Sequence, residues 1–363
     1  MCLNLPARIA MDWFPVEERD LATTAASMAN VLGQMVFSLV APLLVHTPEQ
    51  LDRIMFVQWV PGVLIAAGSW VFLKAKPKVA PSAAAAIQWR EAGVIAARAK
   101  KNSGGDVTRA AFDTMWKDVS LLLSNTNFML LASGFSAGTG MVWAVLILEG
   151  QLITPCGFSD AFSGTAGAAL LATGIVSAFI VGAVMEATKA YLELQRGVMI
   201  AAFAATVGVL AATRPAYPAM LLLAYCLLGA ALQPLMPVTL EHAAEMTFPV
   251  PADVSTSVLF MMANSFSAFL VLVITPLLSL ESKCSTVFTP TAALILIIMA
   301  AGLVATLSVY RDYRRSSAEH PEGNGDGNGG GIHRTDSPVS SLLATGGKGS
   351  GSGNGAPSAY GAA

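Results

Sequence analysis

Eight stretches of this chain stay apolar for about the length of a bilayer crossing, and that repetition leaves few folds open. They cover about residues 21–45, 54–73, 121–152, 165–185, 198–213, 216–240, 255–280 and 289–310. About 20 apolar residues in helical form cross the hydrocarbon of a bilayer. Inside it every backbone N–H and C=O must be bonded internally, so only helices and closed barrels span. Runs of this length read as helices. Charge agrees: Asp, Glu, Lys and Arg make up 12% of the 363 residues, against about 25% in a soluble domain. The expectation is an all-α, multi-pass protein of the plasma membrane or an organelle membrane, with the lipid bilayer as a partner. Residues 1–20 lack the apolar core of a cleavable signal peptide. The dispersed basic residues argue against nucleic acid as a partner.

Eight spans put both termini on one side. Sixteen of the 21 Lys and Arg residues fall in loops on that side, and three (Arg53, Arg214 and Lys283) on the other. The positive-inside rule makes the terminal side cytoplasmic. Residues 74–118 hold nine basic residues and read as a cytoplasmic linker, an anionic-lipid contact being the other reading. Ser82 is placed to cap a short helix there that runs to Ala99, with Trp89 at the interface. Cys156 and Cys284 share a side in this topology. Spacing does not bring them within bonding reach, and two ordinary small residues are expected. The Gly-, Ser- and Asn-rich tail from residue 316 buries too little apolar surface to order and is expected to be disordered. Ser337-Pro338 in it is a bare phosphorylation dipeptide.

The polar residues inside the spans are patterned. Thr23, Ser27, Asn30, Gln34 and Ser38 recur every three or four residues and share one helical face. Such a face belongs in a bundle interior, as helix–helix glue or lining a wet cavity. The third span carries Gly134, Gly138, Gly140 and Trp143, with Glu149 and Gln151 at its far end. An aromatic face in a cavity can hold a cation; packing is the alternative. Gly174, Ala178 and Gly182 form a small-residue stripe in the fourth span, suited to close helix approach. Asn264, Ser265 and Ser267 sit near the middle of the seventh. No Asp or Lys lies mid-span, so no proton relay is visible. Glu241-His242-x-x-Glu245 superficially suggests a metal, but catalytic zinc needs three ligands around an open position. No nucleophile–base pair can be argued, so the chain reads as no enzyme and calls for no cofactor.

Gln233–Ser257 reads as a short hairpin loop in which Pro249 and Pro251 stop one helix before the next begins. Its Pro237, Glu241, Ala243, Glu245, Thr247, Pro249, Asp253, Ser255, Thr256 and Ser257 resemble the loop between the tenth and eleventh helices of the FLVCR family. These are the feline leukaemia virus subgroup C receptor relatives within the major facilitator superfamily. Residues 1–20, with Ala22, Thr23, Asn30 and Gly33, resemble the family's segment joining its fourth helix to its fifth. Glu186, Lys189 and Arg196 match the charges of the loop between the eighth and ninth helices, thought to act as a conformational latch. The resemblance adds Glu241 and Glu245 to that conformational set. The fifth and eighth spans, the smoothest, match the outermost helices nine and twelve. The resemblance covers about residues 3–310. It implies a major facilitator-type helical bundle with about eight of the usual twelve transmembrane helices. Residues 1–73 would be two helices of an N-terminal bundle, 74–118 a cytoplasmic linker, 119–312 a six-helix C-terminal bundle, and 313–363 a disordered cytoplasmic tail.

The resemblance further implies a transporter that moves a small organic solute by alternating access, either a choline- or ethanolamine-like cation or heme. Asn30, Gln34, Trp143, Asn264 and Ser265 would line its path, with Gln151 at the outer end. Trp143 fills an aromatic position of the family's seventh helix, and Gln151 matches a glutamine there. Two family amides are lost. Asn-Gln-Leu-Gly of the fifth helix is Asn30-Val31-Leu32-Gly33 here, with Gln34 next in line, and the eleventh-helix glutamine aligns near Ser265, beside Asn264. The family's first four helices have no counterpart. The first expectation is an incomplete gene model, ahead of a degenerate copy or a chain that needs a partner. A non-transporting receptor or scaffold is the alternative function.

Overall fold

The computed structural model describes residues 6–44, 51–72, 77–82, 85–87, 89–90, 93, 107–213, 217–280 and 289–319. Regular structure among them is helical: α1 (Pro6–Trp13), α2 (Arg19–Leu44), α3 (Leu51–Phe72), α4 (Val107–Ser124), α5 (Thr126–Ile153), α6 (Asp160–Thr188), α7 (Tyr191–Ala212), α8 (Pro218–Leu232), α9 (Leu235–Met246), α10 (Ala252–Leu280), α11 (Pro290–Ser308) and α12 (Arg314–Glu319). A 3-10 turn, Thr154–Cys156, follows α5. Seven segments are long and apolar enough to cross a membrane: α2, α5, α6, α7, α8 with α9, α10 and α11. Helix α3 contains a shorter apolar stretch, Met55–Val71.

Local chemistry sets the helix boundaries. The Asn125 side chain accepts the N–H groups of Asn127 and Phe128 and starts α5. Ser159 caps α6 in the same way. Thr289 caps α11, with Pro290 at the first position, where a missing N–H costs nothing. The Asn125 cap corrects one expectation, because Leu121–Ser124 belong to α4 and not to the third span. A second correction is larger. The expected hairpin loop Gln233–Ser257 is mostly helix. The chain turns at Gln233 and Pro234 and continues as α9 to Met246, leaving only 247–251 between α9 and α10. Pro237 lies in the first turn of α9, where its lack of an N–H breaks no helical bond.

Two further expectations change. Arg314–Glu319, expected to be tail, form α12. The rest of the tail, Ser337-Pro338 included, lies outside the described residues. Cys156 is disulfide-bonded rather than an ordinary small residue. Its partner, like Cys284, lies outside the described residues; spacing says nothing about how the turns at that end fold together. The Ser82 hydroxyl accepts the Ala85 N–H at 3.2 Å, as a cap does. Most of the helix expected from there to Ala99 is outside the described residues.

Helix α5 packs between α10 and α11, and α6 between α2 and α8. Small residues permit both α6 contacts. Gly182 faces Thr24 of α2. On α8, Gly229 lies so close to α6 that a Cβ would collide with the Leu170 carbonyl. Helix α11 buries one stripe (Thr291, Ile295, Met299, Gly302 and Thr306) and leaves its other faces open, as a lipid-facing helix does. Helix α3 is apolar all round. Met55, Phe56, Trp59, Leu64, Ile65 and Trp70 on it are exposed.

Candidate functional site

Two polar regions lie along the bundle axis. The first is at the end where α2 begins and α11 finishes. Helix α9 brings Glu241 and Glu245 to one face, one turn apart and fully buried. Burying carboxylates without partners costs several kcal/mol per ion. Here Arg315 of α12 answers both: Nε donates to Glu245 at 2.9 Å and Nη2 to Glu241 at 3.0 Å. The Ser316 N–H donates to the second Glu245 oxygen at 2.6 Å, and the Thr23 hydroxyl of α2 to the second Glu241 oxygen. Burial works against the Arg315 charge, but the two carboxylates outweigh it and hold the guanidinium protonated well above its ordinary range.

One ion pair and several hydrogen bonds also tie α2 and the residues before it to α6 and the start of α7. Lys189, in a left-handed conformation just past α6, reaches Asp20 at 2.9 Å and the Val16 carbonyl at 3.2 Å. The buried Tyr191 hydroxyl donates to the same Asp20 at 3.3 Å. Glu186 accepts the Leu21 N–H at 3.0 Å, one of the donors that a first helical turn leaves without an internal partner. Arg196 does something different: its guanidinium donates to the Leu307 and Val309 carbonyls and closes the end of α11. Among the expected conformational residues, Glu186, Lys189 and Glu241 contact α2, Glu245 contacts α12, and Arg196 holds α11. Sequence reasoning missed Asp20, Tyr191 and Arg315. Arg315 sits among Arg311 and Arg314, where a buried arginine and surface ones look alike.

The second region is a small, partly open recess lined by Asn30 and Gln34 of α2, Thr139 and Trp143 of α5, and Gln233 and Met236 near the α8–α9 turn. Asn30 and Gln34 lie one turn apart and face the same way. Trp143 is half-buried and stacks on Phe260 of α10, with centroids 6.1 Å apart and ring planes at 13°. Phe135 meets Phe260 edge-on at 5.7 Å, fixing that platform from behind. Carbonyl and hydroxyl oxygens therefore converge beside an aromatic ring, with no charged side chain on the wall. Three expected residues stand elsewhere. Asn264 is exposed on α10 and donates to the Phe260 carbonyl at 2.8 Å. Ser265 is exposed beside it, and Gln151 is exposed near the end of α5. Gln233 and Thr139 join the recess without having been assigned to it. The sequence showed Gln233 as an isolated amide in an apolar span, which is the signal that was available.

This arrangement defines a multi-pass, all-α membrane protein of the major facilitator type. No protein-family model matches the chain. It is similar to solute carrier family 49 member A3 of Danio rerio, 24% identical over 88% of this chain and 66% of the relative. It is also similar to the choline/ethanolamine transporter FLVCR1 of Felis catus (27% identical; 89% of this chain, 56% of the relative) and to the choline/ethanolamine transporter FLVCR2 of Homo sapiens (24%; 73% and 48%). The chain is thus similar to proteins named as solute carriers and transporters. It spans about half to two-thirds of the length of the curated relatives it matches.

Proposed function

We propose that the chain acts as a transporter of the major facilitator type and moves a small organic cation of the choline or ethanolamine kind by alternating access. The observation that carries this reading is the recess. An aromatic face attracts an ammonium group through its quadrupole, and neutral oxygens from Asn30, Gln34, Thr139 and Gln233 solvate the cation without trapping it. The cat and human relatives, named as choline/ethanolamine transporters, support the same substrates. Heme fits less well, because no basic side chain on the recess wall is placed to pair with its carboxylates.

In this reading α2 and α3, within residues 1–73, are two helices of one bundle. Residues 119–312 form the opposed six-helix bundle, 74–118 the linker and 313–363 the tail. The charged end is cytoplasmic in this reading, which the distribution of Lys and Arg supports. The disulfide at Cys156 then falls on the outer, oxidising side, where such bonds persist. The Lys189–Asp20 ion pair and the Thr23–Glu241 hydrogen bond, both made by α2, hold the cytoplasmic end shut, so the conformation is closed inward.

The test is choline binding and uptake by the purified full chain in liposomes. Trp143→Ala is expected to weaken choline binding about 30-fold, the equivalent of about 2 kcal/mol, and Trp143→Phe, which keeps a ring on Phe260, to weaken it less. Wild-type affinity in the alanine variant sinks the site. Saturable binding without uptake assigns the chain to a receptor instead.

A further inference from the structure

One ionisable group belongs to neither region. Glu149 lies on α5 six residues beyond Trp143, about 9 Å further along the axis at 1.5 Å per residue. It is 7% exposed. Its carboxylate is pressed against Gly167 of α6, where a Cβ would run into it. Its Oε1 has no hydrogen-bond partner among the described residues. Helix α6 presents Gly167 to it, whose backbone N–H is the polar group it offers the carboxylate. Helix α8 presents Tyr225, buried and close enough for the Glu149 charge to act on it. Among the described residues no Lys, Arg or His acts on the carboxylate. The contrast with Glu241 and Glu245, which share Arg315 at hydrogen-bond distance, is complete.

A buried carboxylate with no counter-ion is costly to keep charged, and a proton is the smallest ligand that removes the cost. We propose that Glu149 is a proton-binding site linked to the outer end of the transport path. With the outer ends of α5, α6 and α8 packed together, its carboxyl carries a proton. When they part and water enters, Oε1 releases that proton to the outer medium. Solute flux therefore responds to pH on the outer face. This linkage rests on the transporter reading, but the proton site itself does not.

The experiment has two arms, both on the full chain in liposomes. In the first, a hydrophobic carbodiimide, which attacks protonated carboxyls in apolar surroundings, is applied across a pH series, and modified peptides are mapped by mass. Label is expected on Glu149 and not on the ion-paired Glu241 and Glu245. Above the titration point of the group it falls about tenfold per pH unit. Glu149→Gln removes it, and Gly167→Ala, which displaces the carboxylate, shifts the profile. In the second arm choline uptake is followed against outer pH, and Glu149→Gln is expected to flatten the dependence. An unlabelled Glu149, or label independent of pH, overturns the proton site even if choline is transported. A pH-dependent label on Glu149 with no choline flux upholds the site and removes the choline reading.

Discussion

The charged end and the recess are built from opposite materials. At the charged end Glu241, Glu245, Asp20, Lys189 and Arg315 are all ionisable, and each is met by a partner within 3.0 Å. In the recess Asn30, Gln34, Thr139, Gln233 and Trp143 are all neutral. Hydrogen-bonded buried ions hold one geometry, since breaking a pair strands the remaining charge. Neutral amides and an aromatic face bind weakly enough to let a ligand leave. The difference separates two tasks, closure and binding, along one bundle axis.

The comparison breaks most visibly at Arg315. Arg315→Ala strands two buried carboxylates and is expected to cost about 3–5 kcal/mol, read as a lower unfolding temperature and yield. A charge-free version, Glu241→Gln and Glu245→Gln with Arg315→Met, recovers most of that stability. If the single variant is as stable as the wild type, the cluster is not what closes this end. A smaller effect is expected at Lys189, which is 36% exposed at its side chain. Lys189→Ala is expected to cost about 0.2–1 kcal/mol, and to raise the reactivity of a cysteine placed at Asn30 toward reagent from the cytoplasmic face. Unchanged reactivity removes Lys189 from the closure. Smallest of all is Arg311, which pairs with Glu193 where both side chains are more than half exposed. Arg311→Ala is expected to leave stability within about 0.5 kcal/mol. A larger loss in thermal unfolding means that burial does not separate the working ion pairs from the idle ones.

Much of this was legible in the sequence. The apolar runs located the seven spans found among the described residues with ends off by up to seven residues, while the run at 54–73 falls in α3, which carries only a shorter apolar stretch. The three- and four-residue spacing of Thr23, Ser27, Asn30, Gln34 and Ser38 puts them on one face of α2, on which Thr23 and Ser27 are buried and Asn30 and Gln34 border the recess. What failed did so for physical reasons. Prolines and charges in Gln233–Ser257 look like a loop, because local sequence cannot show that a guanidinium from beyond the last span will neutralise α9. Asn264 and Ser265 are exposed on α10 and do not line the recess, because a helix that is apolar nearly all round gives no bearing on its rotation. Cys156 looked unremarkable because a disulfide depends on where distant turns meet.

The position of Arg315 also constrains how the protein is made. The ribosome completes Glu241 74 residues before Arg315, and Glu245 70 residues before it. Through that interval α9 enters the membrane carrying two acids whose counter-ion does not yet exist. They must wait in a wet or proton-neutralised state while α10 and α11 are threaded. Closure of the charged end is therefore among the last events of biogenesis, set by translation of a short segment past the final span. A chain stopped just before that segment would carry every span described above and leave Glu241 and Glu245 without Arg315.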